Sequence, residues 1–273
     1  MSYEAYLAHH GIKGQKWGVR RFQNYDGTRI KSNRKPSFKE TTDSIRKKLS
    51  NEYKPVYRQP LNLEEVKSRG ELTDAEAKTC SRLARTMFDR ASKVEPAITA
   101  DVISSADAAG AKMFGLWYRQ KQPTSLAAKI GADAKEKGLS FEEAANGVKD
   151  TVRYTAVSEN HDFVNNYESI KRSLTNKGYE EVRCKNFFEK YRQGQVQHKA
   201  VQCTYRDTNG FEFELQFQTP ESQAAKELKI PLYEERRKKG VTQTRAVQLE
   251  LEMRDLAEQV PYPPRISDIL SHS

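Results

Sequence analysis

Phe211-Glu-Phe-Glu-Leu-Gln-Phe-Gln218 decides the fold class. Phe211, Phe213, Leu215 and Phe217 alternate with Glu212, Glu214, Gln216 and Gln218, and side chains two apart on a strand share a face. One face therefore lies on a core, and the other presents two carboxylates and two amides. Just upstream, His198–Arg206 reads as a strand, and Asn209-Gly210 supplies the turn that makes the two a hairpin. Val152–Val157 and Glu180–Phe188 read as further strands. Between them Phe163, Tyr167, Ile170 and Leu174 mark a helix closed by Gly178.

Upstream of the strands the apolar period is helical. Thr73 and Glu76 have capping-box spacing, and Cys80, Leu83, Met87 and Ala91 follow on one face. A second helix is expected from about Thr99, with Val102, Ala106, Ala109 and Met113. A third is expected over Thr124–Lys137, ending at Gly138, and a short one capped by Ser140 and Glu143. After the hairpin come a basic run, Arg236–Lys239, and a helix carrying Leu249, Met253, Leu256 and Val260, closed by Pro261–Pro264. Helices first, then strands with a hairpin, imply an α+β fold with a mixed, mostly antiparallel β-sheet flanked by helices.

The 273 residues carry a net charge of +10, and the first 60 hold 14 Lys and Arg against 5 Asp and Glu. Residues 1–70 lack sustained periodicity and are expected to be a basic, poorly structured arm and linker. Residues 71–240 then form the main domain and 241–273 a C-terminal helix and tail. The arm suits an acidic or nucleic-acid partner, or is simply solvated. No apolar run spans a membrane, no secretory signal opens the chain, and the three cysteines, Cys80, Cys184 and Cys203, are scattered. A membrane span and a secreted disulfide scaffold are excluded, and reduced thiols in a cytoplasmic protein are expected.

Three cations and a hydroxyl gather before and within the third helix: Arg119, Lys121, Ser125 and Lys129. Ser125 and Lys129 are one turn apart on one face. Fixed positive charge beside helix N-terminal amides is what a polyphosphate needs, although ordinary surface basics fit the same pattern. Asp150 heads the first strand and Glu214 lies mid-strand on the polar face of the last. Two carboxylates on neighbouring strands can share Mg²⁺, or the Glu can deprotonate an attacking hydroxyl. The solvated side of a sheet carries alternating acids as well. Cys203 is read as packing.

Taken together, Arg119-x-Lys121-x-x-x-Ser125-x-x-x-Lys129, then Asp150, His198-Lys199-Ala-Val-Gln202-Cys203 and Glu214-Leu-Gln216-Phe-Gln-Thr219, resemble the synthetase domain of RelA/SpoT-type alarmone synthetases. The resemblance runs from about Ala75 to Arg237 and is greatest to divergent domains of phage, mobile-element and toxin proteins, which also have a counterpart of Leu232–Arg236. It implies a nucleotidyltransferase-like fold and transfer of pyrophosphate from ATP to a 3′-hydroxyl, releasing AMP. Arg119, Lys121, Ser125, Lys129 and Lys199 would bind phosphates, and Asp150 and Glu214 would hold Mg²⁺, with Glu214 also able to activate the acceptor. His198, Gln202 and Gln216 would meet the acceptor.

On the acceptor side the pattern departs from the family. His198 stands for a stacking tyrosine, Gln202 for a histidine and Gln218 for an arginine, while Arg153 and Thr155 stand where the family has Gly and Arg. The implied acceptor is a nucleotide or a tRNA 3′ end. The alternative is a catalytically inactive, virion-associated or nucleotide-sequestering protein that retains the fold. Residues 6–24, with His9, His10, Trp17 and Phe22, resemble a short module of phage structural and injected proteins, implying a bacterial cytosol or a phage particle as the setting. The sequence leaves the oligomeric state open.

Overall fold

The computed structural model describes residues 36–194, 198–236 and 240–272. The module at 6–24 lies outside the described residues, as do 237–239 of the basic run. The chain divides into two units, Met1–Ser37 and Phe38–Ser273, and the second carries the fold. In order it comprises α1 (Phe38–Lys48), α2 (Leu63–Gly70), α3 (Asp74–Ala108), β1 (Lys112–Met113), a 3₁₀ turn (Leu116–Tyr118), α4 (Pro123–Lys137), α5 (Phe141–Asn146), β2 (Arg153–Val157) and α6 (Phe163–Asn176). Then follow β3 (Glu180–Asn186), α7 (Phe187–Arg192), β4 (Val201–Arg206), β5 (Glu212–Gln218), α8 (Pro220–Arg236), α9 (Gln243–Glu258) and a 3₁₀ turn (Ile266–Asp268).

The sheet order is β1-β2-β5-β4-β3. Only β2 and β5 run parallel; the other neighbours are antiparallel. The α+β class and the mostly antiparallel sheet are as the sequence predicts. Phe213, Leu215 and Phe217 of β5 join Tyr154, Cys203 and Tyr205 in one core with Ile98, Val102 and Ala106 of α3 and Ile170 and Leu174 of α6. A second, helical core contains Val66 of α2, Cys80, Ala84 and Phe88 of α3, and Leu126 and Ile130 of α4.

One helix, α3, spans both cores. Its 35 residues replace the two helices expected over Thr73–Ala91 and from Thr99, and Met113 falls in β1 instead. Thr73 and Glu76 form the expected capping box. Pro96 sits inside α3 and cannot donate to the Ser92 carbonyl, a break that normally costs about 3 kcal/mol. Side chains from outside the helix brace this turn. Gln120 donates to the Phe88 carbonyl (3.0 Å) and to Ser92 Oγ (2.8 Å), and Arg119 pairs with Glu95 and donates to Thr99 Oγ1 at 3.0 Å.

Three further differences stand out. Residues 38–70, expected to be linker, form α1 and α2, whose Ile45 and Val66 are fully buried. Short helices with one apolar anchor per turn leave no sustained period. The strand expected over Glu180–Phe188 ends at Asn186, whose side chain accepts from the Phe188 and Glu189 amides and starts α7. Residues 241 onward belong to the same unit, since Asn186 donates to the Ile266 and Ile269 carbonyls and His272 bridges to Cys184.

Candidate functional site

The site begins with the register of the central strands. Arg153 of β2 lies opposite Glu214 of β5 and Thr155 opposite Gln216, while Thr204 and Gln202 of β4 flank the same two residues. Alternation puts all of these on the face turned away from the aromatic core. Glu214 is nevertheless buried at 5% exposure. Its carboxylate accepts from Gln202 Nε2 and from Gln216 Nε2 (2.5 Å). The Gln216 Oε1 accepts in turn from Lys226 Nζ of α8 at 2.8 Å and from Gln218 Nε2 at 3.1 Å. Every donor in this row of side chains points toward the Glu214 carboxylate.

Asp150 stands three residues before β2 and carries the second carboxylate. Its Oδ2 accepts from Lys121 Nζ at 2.5 Å, with both side chains about four-fifths buried. Burial alone would push the Asp150 carboxyl up, but Lys121, then Lys129 and Arg153, hold it below its ordinary value. Burial holds the Lys121 ammonium below its ordinary value, with Asp150 acting against that. The pairing follows from the backbone: Lys121 N donates to the Thr151 carbonyl (2.9 Å), and Gln120 bridges Val152.

Lys121 leads directly into α4, which has Pro123 in its first turn and Gly138 at φ +65° as its stop. Gln122 is the N-cap but makes no cap bond through its side chain, whose Oε1 accepts from the Gln59 amide instead. Ser125 and Lys129 follow on α4, with Lys129 Nζ 3.6 Å from Asp133.

Two expected phosphate cations lie elsewhere. Arg119 is 1% exposed. Its backbone keeps the helical conformation of the preceding turn (φ −62°, ψ −26°), which breaks the two-residue alternation with Lys121. Its guanidinium is spent on Glu95, Thr99 and the Lys54 and Leu116 carbonyls (2.6 and 2.5 Å), so it is presented to the protein interior. Lys199 has the parity of the core-facing Val201 and Cys203. Its Nζ donates to the Val260 carbonyl at 2.7 Å and lies 4.2 Å from the Tyr262 ring centroid. The expected cation set is thus split, with Lys121 on Asp150, Lys129 on α4 beside Asp133, and the other two holding the fold.

His198 lies tilted against Phe187 with ring centroids 4.1 Å apart. The residue is exposed, yet desolvation on this side of the ring, then Lys229 and Lys226, hold its pKa down to about 4. His198, Gln202, Gln216, Lys226 and Lys229 line an open cleft of about 1740 Å³ between the sheet and α8. Lys121, Ser125, Lys129, Asp150, Arg153 and Glu214 are outside that lining.

Arg153 and Lys226 were missed from the sequence as site residues. Arg153 lowers the pKa of Lys121, Asp150 and Lys226 and lies opposite Glu214 in the sheet. Only the β2–β5 pairing, which no local signal encodes, brings it to Glu214. Lys226 belongs to a helix that the apolar period does not reveal.

Residues 1–24 match a family of unknown function, DUF7211. No curated protein matches the sequence. Among solved structures, the chain is similar to the small alarmone synthetase 1 from Bacillus subtilis bound to its product pppGpp. The identity is 15% over 51% of this chain and 69% of that one, with a TM-score of 0.38. It is also similar to the Type VI effector Tas1 in complex with its immunity protein, at 12% identity over 64% of this chain and 94% of that one, with a TM-score of 0.40. At these values the similarity defines no residue-level correspondence.

Proposed function

We propose that the protein transfers pyrophosphate from ATP to the 3′-hydroxyl of a nucleotide or a tRNA end, as its resemblance to RelA/SpoT-type synthetases implies. The observation that carries this reading is the pairing of Lys121 with Asp150 before the uncapped start of α4, with Lys129 within that helix and Arg153 opposite the amide-held Glu214. Lys121, Ser125, Lys129 and the first amides of α4 would take the donor phosphates. The acceptor oxygen would bond to the β-phosphorus while the bond to the α-phosphate oxygen breaks and AMP leaves. The hydroxyl proton would pass to Glu214.

Asp150 and Glu214 offer the hard oxygen donors that Mg²⁺ prefers, and both are held in place, one by Lys121 and one by two amides. Bound there, the ion would neutralise charge on the phosphates. Gln202, Gln216 and His198 line the cleft in which an acceptor would lie. The basic first 60 residues suit an acidic or nucleic-acid partner.

One observation favours a second reading, nucleotide binding without turnover: Arg119 and Lys199, two of the four expected phosphate cations, are committed to the fold. AMP release from ATP and Mg²⁺, with GDP, GTP, ATP or bulk tRNA as acceptor, separates the two. AMP that appears with one acceptor and drops at least 100-fold in Lys121→Ala and Glu214→Gln is the expected result. ATP binding without AMP from any acceptor would establish the second reading, and no ATP binding would sink both.

A further inference from the structure

Behind the sheet, on the face opposite Glu214, Glu181, Cys184 and Cys203 bring a carboxylate oxygen and two sulfurs within 4.8 Å of one another. Cys184 and Cys203 are cross-strand partners on β3 and β4. The backbone N–H and C=O of Cys184 are both spent on His272, on the other side of β3 (3.0 and 2.9 Å). The cysteines are thus a non-hydrogen-bonded pair, the kind whose side chains approach most closely, and their sulfurs are 3.3 Å apart. Glu181, three residues before Cys184, would ordinarily face the other way. A register shift between Glu181 and Arg183 turns it onto the cysteine face. His272 lies outside this group of three: its Nε2 is 3.1 Å from Glu181 Oε1, and its exposed ring has to turn inward to reach the sulfurs.

We propose that Cys184, Cys203, Glu181 and His272 form a tetrahedral site for a zinc-class divalent ion. Two thiolates, an imidazole and a carboxylate are the donor types such an ion takes. A tetrahedral zinc ion sets its two sulfurs about 3.8 Å apart and a nitrogen and an oxygen ligand about 3.4 Å apart. The sulfurs, 3.3 Å apart, therefore open by only about 0.5 Å, while His272 keeps its 3.1 Å contact with Glu181 and turns its ring toward them. On binding, each thiol proton leaves to solvent as its sulfur–metal bond forms. Two thiolates, one carboxylate and a divalent cation then leave one negative charge. Lys171, whose Nζ lies 2.7 Å from Glu181 Oε1, cancels it, so the buried cluster closes neutral. The ion would fasten the segment ending at His272 to two strands, independently of any chemistry on the other face.

Titration of the reduced full-length chain with Co²⁺ tests this. One ion per chain is expected, with tetrahedral ligand-field bands, a thiolate charge-transfer band, and displacement by Zn²⁺. Cys203→Ser should lose the charge-transfer intensity of one sulfur and weaken binding at least tenfold. Since that change touches the core, His272→Ala on the exposed segment provides the second arm. It should keep the fold and still weaken Co²⁺ at least tenfold. Absence of a thiolate band from chain with both thiols titratable would overturn the proposal. So would a band that survives both variants, or thiols that only pair into a disulfide and take up no metal.

Discussion

At the scale of single residues, Arg119 shows how one side chain divides two readings. Its spacing to Lys121, Ser125 and Lys129 suits a phosphate ligand, yet its guanidinium is inside, paired with Glu95 against the proline-broken turn of α3. Removing one partner of a buried pair leaves the other charge uncompensated. Arg119→Ala is therefore expected to lower unfolding free energy by about 3–5 kcal/mol in urea titrations. The folded fraction should bind ATP with unchanged affinity. A tenfold loss of affinity without loss of stability would restore the phosphate role. Residue spacing was legible in the sequence, but the direction of the guanidinium was not. That direction depends on a helical backbone angle at one residue and on a glutamate 24 positions away.

At the scale of elements, the hairpin was legible because one face is apolar and the other polar, so its alternation is complete. Helix α8 was not, because it covers a polar sheet face. Its buried positions include Ser222 and Gln223 beside Ala224, Ala225 and Leu232, and Pro231 interrupts it. A helix that packs on amides has no apolar stripe to read. It nevertheless delivers Lys226 to the site. Burial, then Arg153, hold that ammonium down to about 8, while Glu214 and Glu227 pull the other way. Below pH 8 the group is charged in the native state, and it loses its proton as pH rises through 8. Binding of an anionic nucleotide should therefore weaken across that interval in calorimetric titrations. Lys226→Arg, which stays charged, should flatten the profile. A wild-type profile that is flat from pH 7 to 9 would remove Lys226 from the binding site.

At the scale of the whole molecule, two cores share one spine, since α3 at 35 residues is about 52 Å long and serves the helical cluster with one half and the sheet with the other. The candidate site lies where they meet, with Lys121 and α4 coming from the helical side and Asp150 and Glu214 from the sheet. The class of fold could be read from period alone, because burial imposes period. The meeting of the two halves could not, because it depends on the joining of Lys121 to Asp150 and Thr151, some 30 residues on, and the parallel β2–β5 register then brings Glu214 to Arg153.

The bridge from His272 to β3 has a consequence for how copies of the chain meet. A sheet ending in unpaired N–H and C=O groups is a template for another strand. At one margin β1 is only two residues long, and its Met113 is covered by Ser50 and Asn51. At the other, Cys184 is covered by His272 and the Asn186 amide by Ser271. A chain ending at Ile269 keeps the buried Ile266 and Ile269 but uncovers that margin. It should self-associate by strand addition, seen as a concentration-dependent rise in mass by light scattering. An unchanged mass would mean that β3 needs no guard.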